Sequence, residues 1–232
     1  MTKRPIAIED LFQLKRVGTP DLSPDGRWVA YSVTEITDSQ QNKSQSRLWL
    51  VPADGSLPPR QLTNGTAKDS NPKWSPDGRW IMFESTRSGN SQLWIINPAG
   101  GEARQLTTIS TEAATAVWSL DGKHIAFVSA VAPEFSSLPF AESDAANKKK
   151  ADAAAESPVK ARVFKRLFYR HWDSYVEDKR QHLFVIDLDA NLAATSSPKH
   201  RVTSRPEIAT PIRRPRHFPH REIFVSARIA VT

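Results

Sequence analysis

The chain has 232 residues, with 32 Lys and Arg against 25 Asp and Glu, 39% hydrophobic residues, 17 Pro, nine Gly and no Cys. That length accommodates one large domain or two small ones, and the composition is that of an ordinary globular protein. The lack of Cys excludes a disulfide scaffold, a zinc–thiolate or iron–sulfur site and a Cys nucleophile, and no run approaches the roughly 18 apolar residues of a membrane-spanning helix. The basic start Met1-Thr2-Lys3-Arg4-Pro5 leads into no apolar stretch, because Glu9, Asp10, Lys15 and Arg16 interrupt it. A secretory signal is therefore not expected, and the cytoplasm is the expected compartment. Of the net charge of +7, a surplus of six lies between Pro198 and Thr232, where eight Lys and Arg face two Asp and Glu. The body of the chain has no basic footprint, so nucleic acid is not the expected partner.

In chain order, two units alternate. Leu22-Ser23-Pro24-Asp25-Gly26-Arg27-Trp28-Val29-Ala30-Tyr31 comes first, followed by Leu48-Trp49-Leu50-Val51 and then Arg60-Gln61-Leu62-Thr63. The first unit returns as Trp74-Ser75-Pro76-Asp77-Gly78-Arg79-Trp80-Ile81-Met82-Phe83, the second as Leu93-Trp94-Ile95-Ile96, and the close as Arg104-Gln105-Leu106-Thr107. A third round reads Trp118-Ser119-Leu120-Asp121-Gly122-Lys123-His124-Ile125-Ala126-Phe127, Leu183-Phe184-Val185-Ile186 and a weaker close at Arg201-Val202-Thr203. Ser-Pro-Asp-Gly suits a hairpin turn: Pro presets φ, Asp bonds locally to backbone and Gly accepts positive φ. The residues after it alternate, with Trp28, Ala30 and Ser32 on one side and Val29, Tyr31 and Val33 on the other, which is the period of a strand. The Leu-Trp-Ile-Ile unit is nearly continuous in apolar character and is expected to be a strand buried on both faces. Six of the tryptophans (Trp28, Trp49, Trp74, Trp80, Trp94 and Trp118) fall on these strands or beside the turns, as blade core.

Repeats of roughly 40–50 residues, each with several short strands, define blades of a β-propeller. The expected fold is all-β: about three four-stranded antiparallel blades over residues 1–204, then an irregular basic tail over 205–232. The third blade carries an insert over about 130–181. Within it, 141–160 is rich in Ala and charge without apolar periodicity and is expected to be exposed or disordered, with at most a transient helix. Residues 161–181 carry Val163, Leu167, Phe168, Tyr169, Trp172 and Tyr175 and are expected to be ordered and packed.

The opening Ile8-Glu9-Asp10-Leu11-Phe12-Gln13-Leu14-Lys15-Arg16-Val17-Gly18, running into Pro20-Asp21-Leu22-Ser23-Pro24-Asp25-Gly26, resembles the start of the prolyl oligopeptidase family of serine peptidases, in its acylaminoacyl-peptidase and dipeptidyl-aminopeptidase branch. Lys165-Arg166-Leu167-Phe168-Tyr169-Arg170-His171-Trp172-Asp173-Ser174-Tyr175, followed by His182 to Asp187, resembles the same branch. The resemblance covers about residues 6–204 and implies a short N-terminal helix, a propeller filtering access to an α/β-hydrolase domain, and a nucleophilic Ser in a Gly-x-Ser-x-Gly elbow. No Gly-x-Ser-x-Gly occurs here and the last Gly is Gly122. No catalytic residue is therefore assigned, and the implied partner is a peptide substrate met through an absent hydrolase domain. The alternative is a stand-alone propeller-like module that binds protein or peptide. An open array of blades would expose strand edges that favour self-association.

Arg170, His171, Trp172 and Asp173 are the candidate substrate-facing residues, since an Arg there can hold a carboxylate bidentately; an internal Arg170–Asp173 ion pair is the competing reading. The turn residues Ser23, Asp25, Gly26, Ser75, Asp77, Gly78, Ser119, Asp121 and Gly122 are read as structural. His217 and His220 have a His-x-x-His spacing, but Pro215 and Pro219 oppose a helix there, and neither a metal nor any cofactor is expected. The tail, Pro-rich and without Gly, breaks the repeat within a blade. It reads as frameshifted sequence or a wrongly placed gene end, with a genuine basic arm for nucleic acid or an acidic partner as the rival.

Overall fold

The computed structural model describes residues 4–41, 43–159, 161, 170, 171, 174, 175, 179–189, 192, 194 and 198–200. They lie in the unit Met1–Val202; the second unit, Thr203–Thr232, and with it the whole basic tail, lies outside the described residues.

A short helix, α1 (Ile8–Gln13), opens the chain. Its first turn is fixed by Asp10, which accepts the Ala7 amide at 2.8 Å and pairs with Arg4. Its side chains are not buried. Blade 1 follows. Strands β1 (Arg16–Val17) and β2 (Asp21–Leu22) both pair with β3 (Trp28–Asp38), which pairs with β4 (Lys43–Pro52), and β5 (Arg60–Gln61) closes the sheet. Blade 2 is β6 (Asp69–Trp74), β7 (Ile81–Ser85), β8 (Gln92–Ile96) and β9 (Arg104–Gln105). Blade 3 is β10 (Ala114–Trp118), β11 (His124–Val131), β14 (Arg180–Asp187) and β15 (Lys199–His200). Neighbouring strands are antiparallel and consecutive in each blade. Between β11 and β14 stand a 3-10 turn (Pro133–Phe135), α2 (Phe140–Glu156) and a two-stranded hairpin of β12 (Arg170–His171) and β13 (Ser174–Tyr175).

The core lies between blades. Ile81, Phe83 and Ile96 face blade 1 and pack with Ala30, Leu48 and Leu50. Met82, Leu93 and Ile95, on the other side of the same sheet, pack with Ile125, Phe127, Phe184 and Ile186 of blade 3. Alternation along β3 follows the expected period, with Ala30 and Ser32 buried. The Leu-Trp-Ile-Ile unit is buried on both faces in the middle blade alone; Trp49 and Val51 of blade 1 and Leu183 and Val185 of blade 3 stay half-exposed. The physical reason is position, because each outer blade has one neighbour among the described residues.

Each innermost strand carries one extra residue at the same place. Asn71 and Pro72 stand opposite Phe83 between the pairs Ser70–Glu84 and Lys73–Met82, and Thr115 and Ala116 stand opposite Phe127. Asn71 and Thr115 take positive φ, 51° and 54°, as a bulge permits for a single residue. In blade 1 the same place breaks the strand into β1 and β2. Gly18 sits there, its amide donating to Ser32 O at 2.8 Å, so close that a Cβ would lie under 3.0 Å from the Ser32 hydroxyl.

The stretch 141–160 departs from expectation. It is mostly a helix, and its lack of apolar periodicity is made good by Ala, Lys and Glu of high helix propensity and by polar anchors. Asp144 Oδ1 accepts both the amide and the hydroxyl of Ser110, at 2.8 and 2.7 Å. Asn147, buried, accepts the Ala132 amide at 3.0 Å. Lys148 pairs with Asp152 one turn on, and Lys150 with Glu134, both at 2.7 Å. Phe140 adds an edge-on contact to Phe184. In the fourth strand of blade 3, Lys199 stands opposite Val185 as Arg104 stands opposite Ile95. Residues 201–203 lie outside the described residues.

Candidate functional site

The three turns form one side of the array and repeat atom for atom. Ser23, Ser75 and Ser119 each donate a hydroxyl to the Asp two positions on, at 2.6 Å in every case. The same hydroxyls accept the amides of Trp28, Trp80 and His124 at 2.9, 3.0 and 2.9 Å. The second role of each Asp is to accept the amide of Arg27, Arg79 or Lys123. Gly26, Gly78 and Gly122 take φ of 73°, 70° and 69°, a conformation that penalises any Cβ. The Ser23 hydroxyl, then the Arg27 amide and guanidinium, bring the Asp25 carboxyl down to about 2. At Asp121 the Ser119 hydroxyl leads the same downward shift. At Asp77 burial pushes upward, but the Ser75 hydroxyl and Arg79 amide together outweigh it and the carboxyl is again lowered. These are ionised, internally paired carboxylates.

Successive turns stack. Pro24 Cδ lies against Gly78 and Pro76 Cδ against Gly122. Beneath them Trp74 Nε1 donates to Asp21 O and Trp118 Nε1 to Lys73 O, both at 3.2 Å. Asp21 also accepts the Trp74 amide through its carboxylate at 2.7 Å. The exposed Arg60 donates to Pro98 O, and Arg104 to Leu192 O at 2.9 Å. A groove of about 390 Å³ lined by Pro24, Trp28, Arg60, Trp74 and Pro98 opens at the first joint, and one of about 300 Å³ lined by Pro76, Trp118, Leu120 and Leu192 at the second. Their recurrence at equivalent positions marks them as products of blade geometry.

The opposite ends of these strands hold a buried ion pair that the repeat pattern does not announce. Asp69, 1% exposed, accepts Arg87 Nη2 at 2.6 Å and the Ser85 hydroxyl at 2.5 Å. The Arg87 guanidinium lies over the rings of Phe83 and Trp94, 5.3 and 5.0 Å from their centroids. Both charges are paired and the carboxylate is doubly bonded, as burial of a charge demands. In blade 3, His124 Nδ1 lies 2.9 Å from Asp187 Oδ1, and Lys199 Nζ 2.6 Å from Asp187 Oδ2. Ser119 is close in sequence, but its hydroxyl bonds the backbone amide and carbonyl of His124. A serine whose proton goes to Asp121 and whose contacts to His124 are to main chain is not an activated nucleophile. Asp69, Arg87 and Asp187 escaped the sequence reading because the ion-pair partners lie 12 to 63 residues apart; the Asp-Gly turns were visible because every partner is within five.

Of the candidate substrate-facing residues, Arg170 and His171 form the first strand of the β12–β13 hairpin, opposite Tyr175 and Ser174. Trp172 and Asp173 lie outside the described residues, as do His217 and His220. Among the described residues no helix is long and apolar enough to cross a membrane.

Four-stranded antiparallel sheets met in sequence order, stacked with one turn motif at one end, define a partial β-propeller. The chain belongs to the TolB beta propeller domain family, whose model matches residues 12–195. It is 33% identical over 180 residues to dipeptidyl-peptidase 5 of Porphyromonas endodontalis, an alignment covering 78% of this chain and 24% of that protein. It is 35% identical over 126 residues to the uncharacterized peptidase YuxL of Bacillus subtilis, covering 53% and 19%. The acylaminoacyl peptidase of Pyrococcus horikoshii superposes with a TM-score of 0.54 at 15% identity, over 83% of this chain and 26% of that one, a likeness of fold. The propeller is thus related to those of peptidases, and the chain spans a fifth to a quarter of the length of these curated relatives.

Proposed function

We propose that this chain is the substrate-filtering propeller portion of a serine peptidase that acts on peptides from an acylated or free amino end, and that by itself it hydrolyses nothing. The observation that carries the reading is the alignment of most of the chain with about a quarter of a dipeptidyl-peptidase. A surface feature agrees with it. Ile6, Ile8, Leu11, Phe12, Leu14, Val17 and Leu22 are exposed large apolar side chains within 17 consecutive residues, and Ile8, Leu11 and Phe12 share one face of α1. A patch of that kind marks an interaction surface, and a hydrolase domain is the partner the reading supplies.

The test is to incubate the purified chain with fluorogenic amides of dipeptides and of N-acylated amino acids, and separately with a fluorophosphonate that labels activated serines. Neither product nor label is expected. Turnover that co-purifies with the chain and is lost on fluorophosphonate treatment overturns the reading.

A further inference from the structure

We propose that the Asn64–Gly65 pair, in the loop between β5 and β6, is a site of spontaneous deamidation, where the chain converts its own Asn64 to aspartate and isoaspartate with water as the only co-reactant. This inference rests on the loop and holds or fails independently of the peptidase reading.

The chemistry is a cyclisation. The Gly65 backbone nitrogen attacks Asn64 Cγ, and a new N–Cγ bond forms. The Cγ–Nδ2 bond breaks, and Nδ2 leaves as ammonia, taking the proton that the Gly65 nitrogen gives up. Water then opens the succinimide ring. Opening at Cγ leaves aspartate in an unaltered main chain, and opening at the backbone carbonyl carbon leaves isoaspartate, whose main chain runs through the side chain. The step needs an amide electrophile, a backbone N–H that no other group holds, and room for the ring. Asparagine is a thermolabile residue, and a following glycine puts no Cβ in the way of the attack.

These conditions meet at Asn64. Both residues of the pair are exposed, and Gly65 has open space where a Cβ would lie. Among the described residues the Gly65 amide donates no hydrogen bond. Asn64 Oδ1 accepts Gln61 Nε2 at 2.6 Å, a donor placed where negative charge builds on that oxygen during the attack.

The other pairs in the chain each lack a condition. Asp25, Asp54, Asp77 and Asp121 also precede glycine. In each case the Gly amide is engaged by the carbonyl three residues back, of Ser23, Pro52, Ser75 or Ser119, at 2.8 to 3.1 Å. Their side chains are carboxylates at neutral pH, whose charge repels a nucleophile. Asn71 and Asn97 precede proline, which has no N–H. Asn90 precedes Ser91, and its Nδ2 is held on Ser110 O at 3.1 Å. Asn147 is buried, with its side chain bonded to Ala132 and Ser143. Asn42 and Asn191 lie outside the described residues.

The product alters a fixed point of blade 1. The Leu48 amide donates to Thr63 Oγ1 at 3.0 Å and the Ser46 amide to Ala67 O at 3.2 Å, so both flanks of the pair are tied to β4. Isoaspartate adds a main-chain carbon between those ties, and either product adds a negative charge. Blade 2 repeats the first tie, the Leu93 amide donating to Thr107 Oγ1 at 2.9 Å, with Thr108 in the place of Asn64. The close therefore does not need asparagine, and Asn64→Thr is a variant that keeps the fold.

Peptide mapping by mass spectrometry tests the proposal. The full 232-residue chain is aged at mildly alkaline pH in water enriched in heavy oxygen, which tells conversion in solution from conversion during digestion. Acid at position 64, as isoaspartate and aspartate together, is expected to accumulate about tenfold or more faster than at Asn71, Asn90, Asn97 or Asn147, equivalent to about 1.4 kcal/mol in barrier. Asn64→Thr is expected to remove most of the isoaspartate. In urea, which frees the turn amides, the lead of Asn64 over the four Asp-Gly pairs is expected to narrow. No conversion at Asn64, conversion as fast at Asn90 or at an Asp-Gly pair of the folded chain, or a lead that urea leaves unchanged, overturns the proposal.

Discussion

Replacing the three turn serines one at a time by alanine separates hydrogen bonding from burial, because the amide and carboxylate bonds are the same in all three and the burial is not; Ser119 Oγ also lies 3.0 Å from His124 O. In each turn the hydroxyl accepts one backbone amide and donates to one carboxylate. Ser75 is 3% exposed and Ser23 is 4% exposed, whereas Ser119 is half-exposed. At Ser75 the substitution strands the Trp80 amide where water does not reach. An orphaned buried donor costs ~1–3 kcal/mol, and Asp77 keeps the Arg79 amide, so we expect a loss of about 2 kcal/mol for Ser75→Ala. Ser23→Ala should match it. At Ser119 water replaces the hydroxyl, and about 0.5–1 kcal/mol is expected. Against a total stability of ~5–15 kcal/mol the difference is readily measured. The assay is urea unfolding followed by tryptophan fluorescence, comparing midpoints at unchanged slope. Equal losses at all three positions, or the largest at Ser119, would refute the argument that burial sets the energy of this turn.

Two further outcomes follow from named groups. The Asp25 carboxyl is lowered to about 2 in the folded chain from ~3.9 in an unfolded one. Its stabilising contribution is therefore complete above about pH 4 and is lost as pH falls toward 2, with Asp77 and Asp121 shifted in the same direction. Asp25→Asn should flatten the decline of the urea midpoint across that window, and a variant that declines as steeply as the wild type counts against it. Gly18→Ala places a methyl against the Ser32 hydroxyl and should destabilise by ~1–3 kcal/mol. Since the Ser32 Cβ is 3.6 Å away, an ordinary contact, adding Ser32→Ala should recover most of the loss, and a strictly additive double variant would show that the close approach is not the cause.

What the residues disclosed, and what they concealed, divides by range. The Ser-Pro-Asp-Gly turns and the strands after them were legible because Pro, Asp, Gly and two-residue alternation act within a few positions. The joints were not, since nothing local says that the Trp118 indole will reach Lys73, 45 residues earlier. The bulges at Asn71 and Thr115 were hidden for another reason: neither residue is Gly, and the extra residue is visible only against its partner strand. The α2 helix was undervalued because its docking is polar, through Asp144 and Asn147, where the reading looked for an apolar stripe. Leu-Trp-Ile-Ile was overvalued as doubly buried in the outer blades, since burial there depends on a neighbouring sheet. The candidates Arg170 to Asp173 came from their place in the blade-3 insert and from the fit of Arg to a carboxylate, and only the backbone pairing of the first two is described.

The direction of the indole bonds bears on how the chain assembles as it is made. Both tryptophans reach back toward sequence already synthesised, and the carbonyls they seek, of Asp21 and Lys73, belong to blades completed earlier. Translation adds ~5–20 residues per second, so a blade of some forty residues emerges over seconds, longer than a hairpin needs to form. Each new blade thus meets a finished template carrying its acceptor, while the forward-reaching Arg60 and Arg104 wait in water at little cost. Growth from the N-terminus is then templated addition, one blade on the last.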